Sequence, residues 1–380
     1  MVSSDVIVIG GGLVGTAVAY GLALVGRNVT VLDEGDDVFR ASRGNFGLIW
    51  VHGKGRGVPP YARWTRESAR QWPALAARLH DETGIDVQIK QPGGLYLCFS
   101  NAELEARSER LAAIRDEADG EYPYEILDRA ALLQRLPQVG PKVVGASYSP
   151  MDGHVNPLKL LRALHTACTH RGVVLKTGLG VQRITHAGGL FTAHSGDRQF
   201  RAPKLVLAAG LGNALLAGQV GLHAPVRPNR GQLIVTERTE QILRYPTGYI
   251  RQTDEGGIQL GDSMEDVGYD DSTTTDALAN IARRGVASFP MLGQLNVVRV
   301  WGALRVMTPD GYPIYQESNA CPGAYVVTCH SGVTLAAAHA FRIAPWIDGA
   351  AAPEELDAFH GDRFRAADHP AQALDHHHAH

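Results

Sequence analysis

Apolar residues near the start of the chain fall into blocks of different period. Val6-Ile7-Val8-Ile9 is an unbroken β-branched run, as expected of a parallel strand buried on both faces. Leu13 to Leu24 is Ala-rich and helical in composition, and Val29-Thr30-Val31-Leu32 repeats the buried-strand pattern after a turn at Gly26. The pattern predicts a β-α-β unit. From Tyr61 to Leu79 the residues Trp64, Ala69, Trp72, Leu75, Ala76 and Leu79 recur at helical spacing with arginines between them, which predicts a long amphipathic helix. A strand is expected over 93–99, a helix over 101–118 capped by Asn101, and a short helix over 128–136. Alternation resumes with a helix over 156–171, strands over 173–175, 180–184 and 190–193, and a buried parallel strand over 204–210. The segment 231–261 is strand-rich and antiparallel in pattern, with runs at 232–236, 248–252 and 257–260. A helix over 274–288, strands over 297–301 and 324–328 and an Ala-rich helix over 333–346 complete the chain.

The turn after the first strand carries chemistry. Gly10, Gly12 and Gly15 have the G-x-G-x-x-G spacing, in which the first glycine permits the tight turn, the second lets backbone approach a pyrophosphate, and the third lets helix and sheet pack closely. The pyrophosphate would rest on unpaired N–H groups at the positive end of the helix. Asp33 ends the second strand, where a carboxylate accepts ribose hydroxyls. The alternation breaks near residue 60, whereas a nicotinamide enzyme continues with further parallel units. FAD therefore fits better than NAD.

A chain of 380 residues with 44% hydrophobic content has room for about two domains. The formal net charge of −3 provides no basic field for nucleic acid or an anionic membrane. The first strand begins at Asp5, leaving no space for a signal peptide, and the apolar stretch from Leu13 to Val25 is shorter than the roughly 20 residues that span a bilayer. A cytoplasmic protein without a membrane span is expected. Cys98, Cys168, Cys321 and Cys329 form no C-x-x-C pair, so no metal site is expected from them, and the His-rich end (His376, His377, His378, His380) reads as a disordered tail.

Taken in order, the motifs resemble the D-amino-acid-oxidase superfamily of FAD-dependent oxidoreductases, which includes glycine oxidase and sarcosine oxidase. The carrying residues are the Gly10, Gly12, Gly15 fingerprint with Asp33, the loop Ser42-Arg43-Gly44-Asn45-Phe46-Gly47, Leu207-Ala208-Ala209-Gly210, Arg230-Gly231-Gln232, the run from Gly302 to Gly311, and Cys329-His330-Ser331-Gly332-Val333-Thr334. Residues 42–55 and 261–266 are most similar to FAD subunits of dye-linked opine, proline and D-hydroxyproline dehydrogenases and of hydrogen cyanide synthase. The resemblance implies an α/β (α+β) fold: a Rossmann-like FAD-binding domain over 1–85, 150–222 and 302–380, interleaved with a substrate domain over 86–149 and 223–301 built on a mostly antiparallel sheet.

It also implies a cofactor site. Gly10, Gly12, Leu13, Val14, Gly15, Asp33 and Glu34 would hold one end of the FAD. Ser42, Arg43, Asn45, Phe46, Gly47 and Leu48 would line its pyrophosphate and ring, with Val181, Ala209, Gly210 and Arg305 nearby. His330, Ser331, Gly332, Val333 and Thr334 would set backbone N–H groups against the N1/C2=O edge of the ring, where reduction places negative charge. Related sequences often carry glycine where Cys329 stands. Sarcosine-oxidase-like relatives tether their flavin through a cysteine, and 306–318 contains none, so the resemblance implies non-covalent FAD.

The expected reaction is oxidation of the C–N bond of an amino acid or secondary amine, with D-hydroxyproline, a related proline or an opine as favoured substrate and possible partner subunits taking the electrons. A glycine- or sarcosine-type oxidase using O2 and a flavin-bearing electron-transfer subunit are the alternatives. Arg305 has two readings, a bidentate clamp for substrate carboxylate or a salt bridge to Asp310. Tyr249 is either a second donor to that carboxylate or a sheet tyrosine. His52 would influence the amine's protonation, and Lys54 the reactivity of the flavin with oxygen; both also read as solvated loop residues. Glu265 is a pocket carboxylate or part of a surface turn, and the segment from Asp152 to Pro157 is expected to cap the following helix.

Overall fold

The computed structural model describes residues 4–35, 40–118 and 120–365. Its main sheet has six strands in the order Ile314–Glu317, Ala324–Thr328, Lys204–Leu207, Val6–Ile9, Val29–Leu32 and Val174–Lys176. All neighbours are parallel except the first pair. The continuous apolar run of Val6–Ile9 follows from this central place. Val6 and Val8 enter one core, packed by the helices Leu13–Leu24, Pro59–Thr83 and Pro157–His170, while Ile7 and Ile9 enter a second core on the opposite face. That second face is covered by a meander of Arg183–Ala187, Leu190–Ser195 and Arg198–Ala202. The pattern placed the first of these strands three residues early and missed Arg198–Ala202 and Ile314–Glu317.

Two larger antiparallel sheets and the short antiparallel pair Leu48–Ile49 with Gly153–His154 make the rest of the described strands. One orders its strands Ile250–Gln252, Gly257–Leu260, Arg227–Arg238, Val297–Met307; the other orders Gly94–Cys98, Gly145–Ser149, Glu125–Asp128. A third core that includes Leu95, Leu127, Ile234, Ile250, Leu260, Ile281 and Phe289 joins them to the helix Thr275–Ser288. The strand Val297–Met307 pairs with Arg227–Arg238 from Met307↔Arg227 to Val297↔Thr236, twice the expected length. It runs across the anticipated domain boundary at 301/302 and carries Arg305 opposite Asn229.

Local chemistry explains the helix ends. Pro73, inside the helix Pro59–Thr83, cannot donate to Ala69, and the amide of Gln91 takes that carbonyl instead at 3.1 Å. Ser100 rather than Asn101 caps the helix Asn101–Glu117, its hydroxyl accepting from the Glu103 amide. Near the C-terminus the expected single helix is divided into Ala336–Ala338, a π-turn His339–Ile343 and Ala344–Asp348. Pro345 lacks the N–H that would have bonded to Phe341, which accounts for the wider turn before it. Among the described residues no helix is long and apolar enough to cross a membrane, and the His-rich tail lies outside them.

Candidate active site

The glycine turn has the shape its spacing requires. A Cβ on Gly10 (φ +108°) would fall 2.2 Å from the Ala208 carbonyl oxygen, and one on Gly15 would fall 1.9 Å from that of Gly10. At Gly12 it would meet the Ser42 hydroxyl at 2.7 Å. Ser42 accepts the Leu13 amide at 2.9 Å, which ties the loop after the second strand to the start of the first helix. Asp33 ends its strand as expected, its carboxylate accepting from Gly11 N at 2.6 Å and Gly35 N at 2.9 Å. Gly332 sits against Val14, so the C-terminal motif returns to the same helix end. Ala209 and Gly210 lie at the end of the neighbouring strand, where Asn213 accepts the Ala209 amide, and Val181 packs on the second core. Glu34 forms an exposed ion pair with Arg40.

Beyond this turn a cleft opens between the main sheet and the four-stranded sheet. It is walled by 41–54, by residues at 231–233, 248–249, 261–262 and 303–306 on the side of the four-stranded sheet, and by 329–334. Asn45, Phe46, Leu48, Arg305, His330, Ser331, Val333 and Thr334 all line it, as does Tyr249. Arg43 does not. It lines a smaller pocket with Arg251, Arg299 and Trp301 that shares Asn45 with the cleft, because the turn at Asn45 sends adjacent side chains to different sides. Asn45 closes that turn by accepting the Gly47 amide at 2.7 Å, and Gly47 itself is left-handed at φ +91°.

The loop 51–54 is clamped by buried polar groups. Asp152 Oδ1 accepts from Val51 N at 2.7 Å and His52 N at 3.2 Å. The Tyr122 hydroxyl donates to Val51 O at 2.6 Å and accepts from Gly53 N at 2.7 Å, and Arg110 donates to Gly53 O at 3.0 Å. Asp152 is thus an anchor for the loop, while Asn156 alone caps the helix beginning at Pro157.

This clamp turns His52 away from the cleft. Its ring is fully buried beside Trp50, 3.2 Å from Asp152 Oδ2, and burial together with Arg107 lowers its pKa to about 4. His52 is therefore neutral at neutral pH and out of reach of a ligand in the cleft, contrary to expectation. Lys54 points in instead: it is 5% exposed, lines the cleft, and donates to Ser331 Oγ at 2.7 Å.

Arg305 lies in the opposite wall. It donates to Asn229 Oδ1 at 3.2 Å and Ser263 O at 2.9 Å, and pairs with the carboxylate of Asp262. Asp310, the salt-bridge partner considered from sequence, is held by Arg363 at 2.8 Å. Asp262 also lies 3.8 Å from Arg284, whose guanidinium covers the Tyr249 ring at 4.2 Å, so two arginines share one carboxylate. The Tyr249 hydroxyl meets Ser288 Oγ at 3.1 Å, and burial raises its pKa to about 12. Glu265 does not line the cleft; Arg230, Gln232 and Ser263 all donate to it. No sequence signal pointed to Asp262 as the partner of Arg305, because the loop carrying it has no periodicity. Among the described residues no group of acids, histidines and cysteines is arranged to hold a metal.

The residues fit a dinucleotide with a bulky ring. At the three glycines a Cβ would strike backbone or the Ser42 hydroxyl, so the turn presents bare backbone, and the indole N–H of Trp50, buried in the cleft wall, has no protein acceptor. A nucleotide-binding sheet whose cleft continues under a separate antiparallel sheet defines a flavin-dependent oxidoreductase. The family described as FAD dependent oxidoreductase (DAO) matches residues 5–346, and the chain belongs to it. It is 44% identical to an opine oxidase subunit of Agrobacterium tumefaciens (strain Ach5), over 96% of this chain and 99% of that one. It is 43% identical to the corresponding opine oxidase subunit of Rhizobium meliloti at the same coverage. Its fold matches the crystal structure of glycine oxidase from Geobacillus kaustophilus with a TM-score of 0.87 at 24% identity, covering 94% of this chain and 98% of that chain.

Proposed function

We propose that this chain oxidises the C–N bond of an amino acid or secondary amine, with an opine as the favoured substrate and a D-hydroxyproline or related proline next. The observation that carries the reading is Arg305, a guanidinium set in the wall of the cleft, where a substrate carboxylate would share it with Asp262 or displace that carboxylate. The two relatives named as opine oxidase subunits support the opine. In this reading the glycine turn and Asp33 hold the nucleotide end of FAD, and the 45–48 and 330–334 segments flank its ring. FAD when bound supplies a two-electron acceptor. The protein supplies position: Arg305 fixes the carboxylate, while Leu48, Trp50 and Leu233 exclude water.

The FAD is non-covalent, since Cys321 lies outside the cleft and burial raises the Cys329 thiol to about 12, leaving it without thiolate character. The chain divides into an FAD unit over 1–85, 150–222 and 302–380 and a substrate unit over 86–149 and 223–301, except that 302–307 stay paired in the substrate unit's sheet, and it works in the cytoplasm, a setting that four free cysteines suit. Electrons leave through partner subunits, a reading supported by the subunit designation of those relatives. Anaerobic bleaching of bound flavin by a panel of opines, prolines and D- and L-amino acids tests the assignment. Reduction by a carboxylated amine is expected, and a flavin that none of them bleaches refutes it. The second reading, an oxidase, draws on the printed names of the same relatives and predicts vigorous peroxide formation with oxygen alone.

A further inference from the structure

The amine of an amino acid is an ammonium ion at neutral pH, and its nitrogen lone pair must be free before the neighbouring carbon can be oxidised. Some group has to accept that proton. Resting on the amine-oxidation reading above, we propose that Lys54 is the catalytic base that takes the proton from the substrate ammonium. The substrate N–H bond breaks as a new N–H bond forms on Nζ. With the lone pair free, the α-carbon could give up its hydrogen as hydride to a two-electron acceptor, the chemistry FAD would supply when bound, leaving the substrate as a protonated imine.

Geometry favours Lys54 over every other titratable group near the cleft. Its Nζ lies in the cleft wall, held by Ser331, and pairs with no carboxylate among the described residues. On its own loop His52 is turned away and neutral. Asp152 behind it is engaged by the Val51 and His52 amides, although its field still favours the ammonium form. Tyr61, from the helix Pro59–Thr83, shares Ser331 Oγ at 3.1 Å and is held protonated by burial, as are Cys329 and Tyr315. Arg107 and Arg110 press on Gly53 from the helix Asn101–Glu117. Across the cleft stand Arg305, Asp262 and Tyr249, which serve the carboxylate end, and His330 lies beside Ser331. Burial outweighs Asp152 and lowers the lysine to about 8, so a useful fraction is neutral at working pH. The clamp on 51–54 positions that nitrogen.

Lys54→Met and Lys54→Arg test this in the FAD-loaded protein. Methionine fills the buried site, and arginine keeps the charge but stays protonated. Both variants should retain FAD and the fold while the rate of flavin reduction at pH 7.5 falls about 100-fold. The pH profile should move to the more alkaline ionisation of the substrate's own ammonium. A second readout does not depend on turnover. A non-oxidisable ammonium carboxylate lacking an α-hydrogen should bind wild type more tightly as pH rises through about 8, when Lys54 loses its charge, whereas Lys54→Met should show no such step. Wild-type reduction rates and an unmoved profile in Lys54→Met would overturn the proposal. If no amine or amino acid reduces even the wild-type flavin, the functional reading fails with it, and that failure is visible without any variant.

Discussion

Replacing Gly231 by alanine probes the carboxylate clamp without touching Arg305 itself. Gly231 lies in the strand Arg227–Arg238, and a Cβ there would stand 2.3 Å from Arg305 Nη2 and 2.5 Å from both Cζ and Nη1. These atoms are the far end of a flexible side chain, so the fold accommodates the methyl group and the guanidinium moves. Reaching ordinary contact requires a shift of about 1 Å. That breaks or lengthens the bonds to Asn229 and Ser263 and the pair with Asp262, a loss of about 1–3 kcal/mol of stability. A displacement of this size at a positioning group costs on the order of 100-fold in rate. Steady-state kinetics with a dye acceptor should therefore show kcat/KM for carboxylated amines down about 100-fold. Flavin content should be unchanged, and an amine lacking a carboxylate should be far less affected. Equal losses for both substrate types, or wild-type kinetics with carboxylated amines, would refute the assignment of Arg305.

Three further outcomes follow from the same geometry. Gly15→Ala places a methyl group 1.9 Å from the Gly10 carbonyl oxygen, a backbone clash that should yield protein without FAD, read from its visible absorption. Trp50→Phe removes the buried indole donor that has no protein acceptor; it should lower the apoprotein's melting temperature modestly through lost packing while weakening FAD binding by about 2- to 10-fold, the value of one hydrogen bond, measured by equilibrium titration of folded apoprotein. The third concerns acid stability. His52 and His339 are buried neutral, with pKa values lowered by burial from 6.5 to about 4 and about 3. The unfolded chain binds their protons first, so the stability they contribute is full above pH 6.5 and is lost as pH falls toward 4 and 3. His52 alone corresponds to about 3 kcal/mol. Denaturant unfolding at stepped pH should show a decline below 6.5 that His52→Gln flattens.

Legibility from sequence tracked how local each interaction is. The β-α-β unit, its glycines and Asp33 were readable because strand, turn and helix are adjacent and obey one steric rule. The long helix from Pro59 was readable from its period, whereas Arg198–Ala202, an edge strand of the meander, has an exposed polar face and no strong pattern. The extra length of Val297–Met307, residues 302–307, was hidden because Gly302, Ala303 and Arg305 interrupt the β-branched pattern, and pairing with Arg227–Arg238 from Gly302↔Gln232 to Met307↔Arg227 carries the strand on. His52 and Lys54 looked alike as loop residues. Only the buried clamp of Asp152, Tyr122 and Arg110 decides that one faces inward to protein and the other into the cleft.

The sequence by itself determined the nucleotide-binding turn and the positions of the four-stranded sheet's elements, since these rest on spacing within a few residues, and the cofactor class through the order of motifs along the chain; it did not reveal Glu125–Asp128 and Gly145–Ser149 of the smaller sheet. Tertiary structure alone decided the chemistry at the cleft: that Asp262 rather than Asp310 meets Arg305, that Arg43 leaves the cleft, and that Lys54 enters it. Those outcomes depend on contacts between segments up to 277 residues apart, as in the Lys54–Ser331 bond. Desolvation and pairing energies exist only once such segments meet.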